Sequence, residues 1–304
     1  INDRKTFTRQ ESKVYLNDST VELTQYMNQM DDDVYRSRKM YGTVGLNDAL
    51  VQDFNSLSWY ESVVPLSIMN YIDDNQIPPM LYRTCIDIPP ERYNLITLLG
   101  TRYLMAHKDL PMDEMLYEKL YETGDKILYK NKYALDFGYL YFKEMDKNVL
   151  MTYDYQSRDN ALTRYFYYTD DNKSSEVPKV SEINVNGDVI ADLQKLKNNG
   201  LKNVSLKDNV LSGEVDNSSS NAAMLCIPIF YEDSWKAYID NKEVQVYNIN
   251  SGLVGVIVEP GNHKIEIKYK NDYMWMGSII SIIGLLSYVV ICIILHKKKG
   301  EQND

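Results

Sequence analysis

The pattern of apolar and polar positions changes character along this chain. Over 201–270 it alternates with a period of two, as half-buried strands require. The segments "LKNVSL" (201–206), "NVLSGEV" (209–215), "AAMLCIPIF" (222–230), "WKAYI" (235–239), "EVQVYNI" (243–249), "GLVGVIV" (252–258) and "HKIEIKYK" (263–270) are short and separated by turn residues. Asp240-Asn241 suits a two-residue hairpin, because Asp and Asn tolerate left-handed backbone. Pro260-Gly261 has the order of a type II turn. These strands predict a small antiparallel β-sandwich. A helix over 188–200 leads into it, with Asp188 as N-cap, Val189, Leu193 and Leu196 on one face, and Gly200 after its end.

From Tyr273 to Leu295 the pattern stops and no residue is charged. That run is about 22 residues, or about 33 Å of helix, the thickness of a hydrocarbon core. Tyr273 and Trp275 stand where an interfacial aromatic belt would, and His296-Lys297-Lys298-Lys299 closes the other end. Those lysines favour a cytoplasmic tail and a large extracytoplasmic part, although Lys264, Lys268 and Lys270 nearly balance the count. Gly277, Ser281 and Gly284 provide small-residue spacings that permit close helix contact.

The first half mixes both periods. Residues 17–33 read as a capped helix with Leu23, Tyr26, Met27 and Met30 on one face, and 65–73 as a short helix with Pro65 in its first turn. "ERYNLITLLGTRYLMAH" (91–107) reads as a helix broken at Gly100 into a strand; "DKILYKN", "YLYFKEM" and "TRYFYYTDD" read as further strands. The fold class is therefore an α+β region, a mainly antiparallel β-sandwich and one C-terminal transmembrane helix. The expected organisation is an α+β domain over 1–168, a polar linker over 169–179, the sandwich with its leading helix over 180–271, the span over 272–296 and a tail over 297–304.

Composition narrows the function. The 304 residues carry a net charge of −10, and this acidic balance argues against nucleic-acid binding, which needs clustered Lys and Arg. Tyr is abundant (26) against six Phe, which suits wet, half-buried surfaces or reflects a biased composition in which Asn, Lys and Ile are frequent too. The three cysteines are scattered: Cys292 lies in the apolar run, and Cys85 and Cys226 either pair in an oxidising compartment or act as isolated small hydrophobes. No CxxC, Cys/His cluster, Walker loop, GxGxxG, GxSxG or HExxH motif occurs, so no metal or other cofactor is expected. His107, His263 and His296 are far apart, and the acidic runs Asp31-Asp32-Asp33 and Asp73-Asp74 fall at helix ends. The candidate ligand-binding residues are aromatic. Trp59 and Tyr60 lie in the polar stretch "FNSLSWYES" and Trp235 opens a strand, where their rings offer stacking surfaces for apolar sugar faces or anchor their own cores. The start "INDRKTFTRQESKVY" has neither Met nor an apolar signal segment, so the chain is expected to be either the last piece of a longer, multi-span protein, which the missing Met favours, or a cytosolic tail-anchored protein.

The stretch "PIFYEDSWKAYIDNKEVQVYNINSGLVGVIVEPGNHKIEIKYKNDYMWMGSIISIIGLL" resembles the end of the bacterial YfhO-type membrane proteins. Trp235, Asp240, Pro260, Gly261, His263 and Tyr269 match the family's pattern, while Ser234 and Asn241 replace glycines beside Trp235 and Asp240. "GLNDALVQDFNSLSWYES", "LLGTRYLM" and "ILYKNKYALDFGY" are similar to other external stretches of the family, with Asp136 standing where a proline is expected. The likeness is specific over 222–295 and looser over about 35–140. It implies a parent protein similar to the C-type membrane glycosyltransferases, which transfer a sugar from a polyprenyl-phosphate donor to a surface polymer such as teichoic acid. The acidic catalytic residue of that class stands in an early external loop, so the resemblance assigns no catalytic residue here. The implied role of this region is acceptor binding or support, with membrane lipid and the chain's own upstream spans as partners. A non-catalytic tethered module binding glycan or a protein partner is the alternative.

Overall fold

A computed structural model describes residues 19–41, 47–61, 63–78 and 85–301. The expected first two residues of the opening helix, the N-terminal stretch before them and the last three residues of the tail lie outside the described residues, as do the side chains of Cys85 and of 295–301.

Amphipathic helix α1 (Ser19–Met30) lies on a four-stranded sheet of order β1 (Arg36–Lys39), β4 (Thr101–His107), β6 (Lys126–Asn131), β5 (Tyr117–Thr123). Only β1–β4 is parallel. Leu23 and Met27 bury the inner face of α1 against Tyr103, Met105 and Leu128. The break expected at Gly100 is real. Helix α4 (Tyr93–Leu98) ends just before it, and Gly100 takes φ +79°, which a side chain would strain, so that β4 can turn away. Short elements α2 (Ala49–Gln52), β2 (Trp59–Tyr60), α3 (Leu66–Asp74) and β3 (Cys85–Ile86) connect the two, with Pro65 as the N-cap of α3.

The C-terminal half is the expected sandwich. One sheet has the order β12 (Lys242–Val244), β11 (Trp235–Ile239), β15 (Gly261–Tyr269), β9 (Val210–Asn217), β8 (Lys202–Lys207). The other runs β13 (Val246–Ile249), β14 (Leu253–Val258), β10 (Ala223–Phe230), β7 (Tyr139–Tyr141). All pairs in both sheets are antiparallel. Leu225, Ile227, Val254, Val256, Ile265 and Ile267 fill the space between the sheets. Asp240 and Asn241 take φ +48° and +67°, as the hairpin requires. Expected as one strand, 243–249 is two: β12 and β13 pair in opposite sheets, and the chain crosses between them at Gln245. The stretch 163–171 forms isolated bridges instead of a strand, from Phe166 to Glu144 and from Tyr168 to Ile249.

The inner sheet is buried on both faces, which is why "AMLCIPIF" is a nearly unbroken apolar run. Met224 and Cys226 point away from the sandwich into a second core with Tyr71, Tyr139, Tyr141, Phe166 and Tyr167. Around this core lie α3, α4, α6 (Tyr155–Leu162) and α7 (Val189–Asn198), with the single turn α5 (Lys147–Leu150) beside them. Asp188 caps α7 as expected, accepting from the Ala191 N–H at 3.1 Å. Cys226 is a free thiol, and burial pushes it up to about 12.

Many tyrosines are half-buried, as such a side chain suits, but several are fully buried core residues. Three of these bring a hydrogen bond inside with them: Tyr139 Oη donates to Leu98 O (2.8 Å), Tyr141 Oη to Leu162 O (2.6 Å), and Tyr167 Oη meets Ser251 Oγ (2.7 Å). The Asn250–Gly252 turn plugs the sandwich into the first half. The Asn250 N–H and Oδ1 both bond the Tyr167 backbone, and any Cβ on Gly252 would collide with the Ser67 carbonyl. Residues 169–179 pack back on both halves, with the Thr169 N–H on Asn248 O (2.9 Å) and Val177 buried.

The chain leaves the sandwich through α8 (Asp272–Glu301). Its segment Tyr273–Ile294 is 22 residues with mean hydropathy 2.5, long and apolar enough to cross a membrane, and none of it is buried in the protein.

Candidate functional site

Where the first half meets the sandwich, a groove of about 770 Å³ opens. Sequence register builds its sandwich wall. The pairing of β11 with β15 sets Trp235 opposite Tyr269, their rings 4.9 Å apart at 75°, and Leu206 at the end of β8 and Asn209 in the β8–β9 turn add to it. The other wall comes from β1, α2 and the stretch to Glu61.

Trp59, Tyr60 and Trp235, the three aromatic candidates, are brought together as lining of this one groove. Phe230 joins them. Its ring stacks at a tilt on Trp59 (5.7 Å), and its carbonyl accepts the Trp235 indole N–H (2.9 Å). With that donor engaged, Trp235 is held as a fixed surface. Tyr60 is positioned by its backbone: its N–H donates to Asn47 Oδ1 (2.8 Å), while Asn47 Nδ2 donates to Tyr60 O (2.9 Å). Trp59 and Trp235 are half-buried and pack on the two cores, so each ring anchors a core while part of it stays exposed to the groove.

Sequence reasoning missed the groove's cation. Arg36 lies in the lining with its guanidinium 4.9 Å over the Phe137 ring. Its Nη1 donates to Leu99 O (2.7 Å) and Pro228 O (2.5 Å). Among the described residues no carboxylate pairs with it. Burial without a compensating anion draws the group down to about 10, so it keeps its charge at neutral pH. Only the tertiary fold reveals it, because "YRSRK" alone does not say which arginine lacks a partner. Tyr269, matched to the family in sequence, was likewise unrecognised as a groove residue.

Asp31, Asp33, Asp240 and His263 have internal partners. Arg102 Nη1 bonds Asp31 (2.8 Å) and Asp33 (2.8 Å), and Tyr103 Oη donates to Asp31 (2.6 Å). Burial alone would raise the Asp31 carboxyl, but the Tyr103 and Arg102 hydrogen bonds outweigh it and hold the group below its ordinary value. A shallow concavity beside this acidic run includes Asp53, yet no group of three His, Cys, Asp or Glu side chains among the described residues is placed to hold a metal. His263 Nδ1 sits 2.8 Å from Asp240, whose other oxygen accepts the Lys264 N–H (3.0 Å). These two family-matching residues therefore fasten the β11–β12 turn to β15, at the end of the sheet opposite the groove.

The groove thus combines aromatic faces, amide and hydroxyl groups from Asn47, Asn55, Ser56 and Ser58, and one guanidinium. Aromatic faces of this kind suit stacking on an apolar sugar face, and the polar groups around them suit hydrogen bonding. Comparison with protein families matches residues 1–189 and 178–281 to the family described as "Bacterial membrane protein YfhO". The chain belongs to the YfhO family. Among YfhO relatives, it is 26% identical over 113 residues to "Uncharacterized protein YfhO" of Bacillus subtilis (strain 168). That match covers 36% of this chain and 13% of the relative, so the chain corresponds to a small part of that YfhO protein. No solved structure matches. Family membership and the apolar helix together make this a membrane protein with a β-rich region attached to its span.

Proposed function

We propose that this chain is the extracytoplasmic C-terminal region and last span of a membrane glycosyltransferase. The parent enzyme would move a sugar from a polyprenyl-phosphate donor to a surface polymer such as teichoic acid, and the groove would bind that acceptor. The observation that carries this reading is where the groove lies. Tyr269 in its wall stands three residues before the helix begins at Asp272, within about 10 Å along the chain. A polymer held there is at headgroup level, where a lipid-linked donor presents its sugar. Arg36 supports a phosphate-bearing acceptor, and the aromatic rings support its polyol face.

The chain, reconstituted in nanodiscs, is titrated with glycerol phosphate oligomers while Trp fluorescence is followed. A saturable change is expected, weakened at least tenfold by the exposed-site variant Tyr60→Ala; no change at millimolar oligomer defeats the acceptor reading. Transfer by the full-length protein carrying Tyr60→Ala separates the alternatives. Lost transfer supports the acceptor role, whereas unchanged transfer with lost binding makes this a non-catalytic glycan-binding module.

A further inference from the structure

The register of the outer sheet defines which end faces the bilayer. Tyr269 pairs with Trp235, Lys268 with Val210, and Val210 with Lys207, so the end of β15, the start of β11 and the β8–β9 turn share one end. The membrane helix leaves from that end. The joint is structured: the Lys270 N–H donates to Ser234 O (2.8 Å), and Asn271 Oδ1 accepts the Met274 N–H (3.1 Å) as the helix cap. The sheet end therefore cannot swing far from the lipid surface.

Apolar side chains are exposed around the same groove. Leu206 on the β8 side is 56% exposed, and across the groove Leu50 is 86% and its neighbour Val51 49% exposed. Nothing within the described chain covers them. The amphipathic rings of Tyr60, Trp235 and Tyr269 line the same groove, and Tyr273 and Trp275 follow in the helix. The opposite end of the sheet, about 17 Å further along β15, is the polar Asp240–Asn241 turn.

We propose that this end of the molecule is a membrane-docking face, with Leu206, Leu50 and Val51 seated in the bilayer interface and the groove open to the lipid surface. The occupant follows from continuity with the span: the face is held against a bilayer that its own helix enters. Glu61 and Glu232 beside the groove keep the contact in the headgroup region, since carboxylates resist the hydrocarbon. Interfacial aromatics and exposed leucines are the side chains such a depth favours. This holds on either side of the membrane and without the transferase reading.

The test uses the full chain with Cys85→Ser and Cys292→Ala; Cys226 is fully buried and stays unlabelled. Single cysteines at Leu50→Cys, Leu206→Cys, Met115→Cys and Asn241→Cys carry an environment-sensitive fluorophore in phosphatidylcholine/phosphatidylglycerol nanodiscs. Met115 is an exposed apolar control, 79% exposed, away from the groove. Labels at 50 and 206 are expected to shift to the blue and lose emission to headgroup-spin-labelled lipid, with 115 and 241 remaining water-like. Water-like emission at 50 and 206, or equal quenching at all four, overturns the docking face. Because glycan binding is read separately, oligomer binding with water-like labels would defeat this inference and leave the acceptor reading standing.

Discussion

The inner sheet of the sandwich separates two cores of different chemistry. On one face Leu225, Ile227, Val254 and Val256 meet the outer sheet through mainly aliphatic contact. On the other, Met224 and Cys226 of the same strand meet tyrosines whose hydroxyls reach backbone carbonyls of the first half. Aliphatic packing is strong but non-directional, so it tolerates repacking. Hydrogen-bonded tyrosines fix orientation, because a misplaced ring leaves a buried donor or acceptor unpaired. The first half is thus oriented on the sandwich by directional bonds, and the groove lies along that seam.

The largest expected effect attacks the directional side. Arg92 Nη2 and Nε bond Asp159 at 2.5 and 2.8 Å, both side chains nearly inaccessible, and Arg92 Nη1 donates to Asn75 O. Arg92→Ala leaves a buried carboxylate alone and should cost roughly 3–5 kcal/mol. Denaturant unfolding of the full chain in detergent measures it, and a loss under 1 kcal/mol would remove this pair from the account. A paired measurement sharpens the contrast. Leu225→Ala should cost about 2–4 kcal/mol by leaving a cavity, with oligomer affinity unchanged. Tyr141→Phe should cost only about 1–2 kcal/mol yet weaken oligomer binding, because it loosens the seam. Equal effects on binding would erase the distinction. The smallest effect is electrostatic. Asp31 has a folded pKa below its ordinary 3.8, so its stabilisation is present above that value and is lost as pH falls through the folded pKa. Stability curves between pH 5 and pH 2 should therefore flatten in Asp31→Asn; an unchanged slope would detach Asp31 from acid unfolding.

The aliphatic core was legible in the sequence because its rule is local. Alternation along "HKIEIKYK" names Ile265 and Ile267 as inward, and Asp240-Asn241 and Gly100 mark turns by backbone demands visible in the residue itself. The crossing at Gln245 was not legible, since two strands in opposite sheets with one residue between them read as a single run. Nor was the tyrosine core, whose acceptors lie 41 residues away for Tyr139 and 21 for Tyr141. The candidate site divides in the same way. Aromatic character singled out Trp59, Tyr60 and Trp235 one by one, but their convergence depends on long-range packing, and Arg36 becomes distinctive only once its neighbours are known to be carbonyls and a ring.

The joint at Lys270–Asp272 has a mechanical consequence. With Lys270 bonded to Ser234 and Asn271 capping the helix, no loose residue separates strand from span. The two parts share one axis of rotation, like a key and its shaft. Each residue of helix advances about 100°, so the face that the span turns toward neighbouring helices also sets the compass bearing of the groove around the membrane normal. Any twist of the span within the bilayer is a twist of the groove above it.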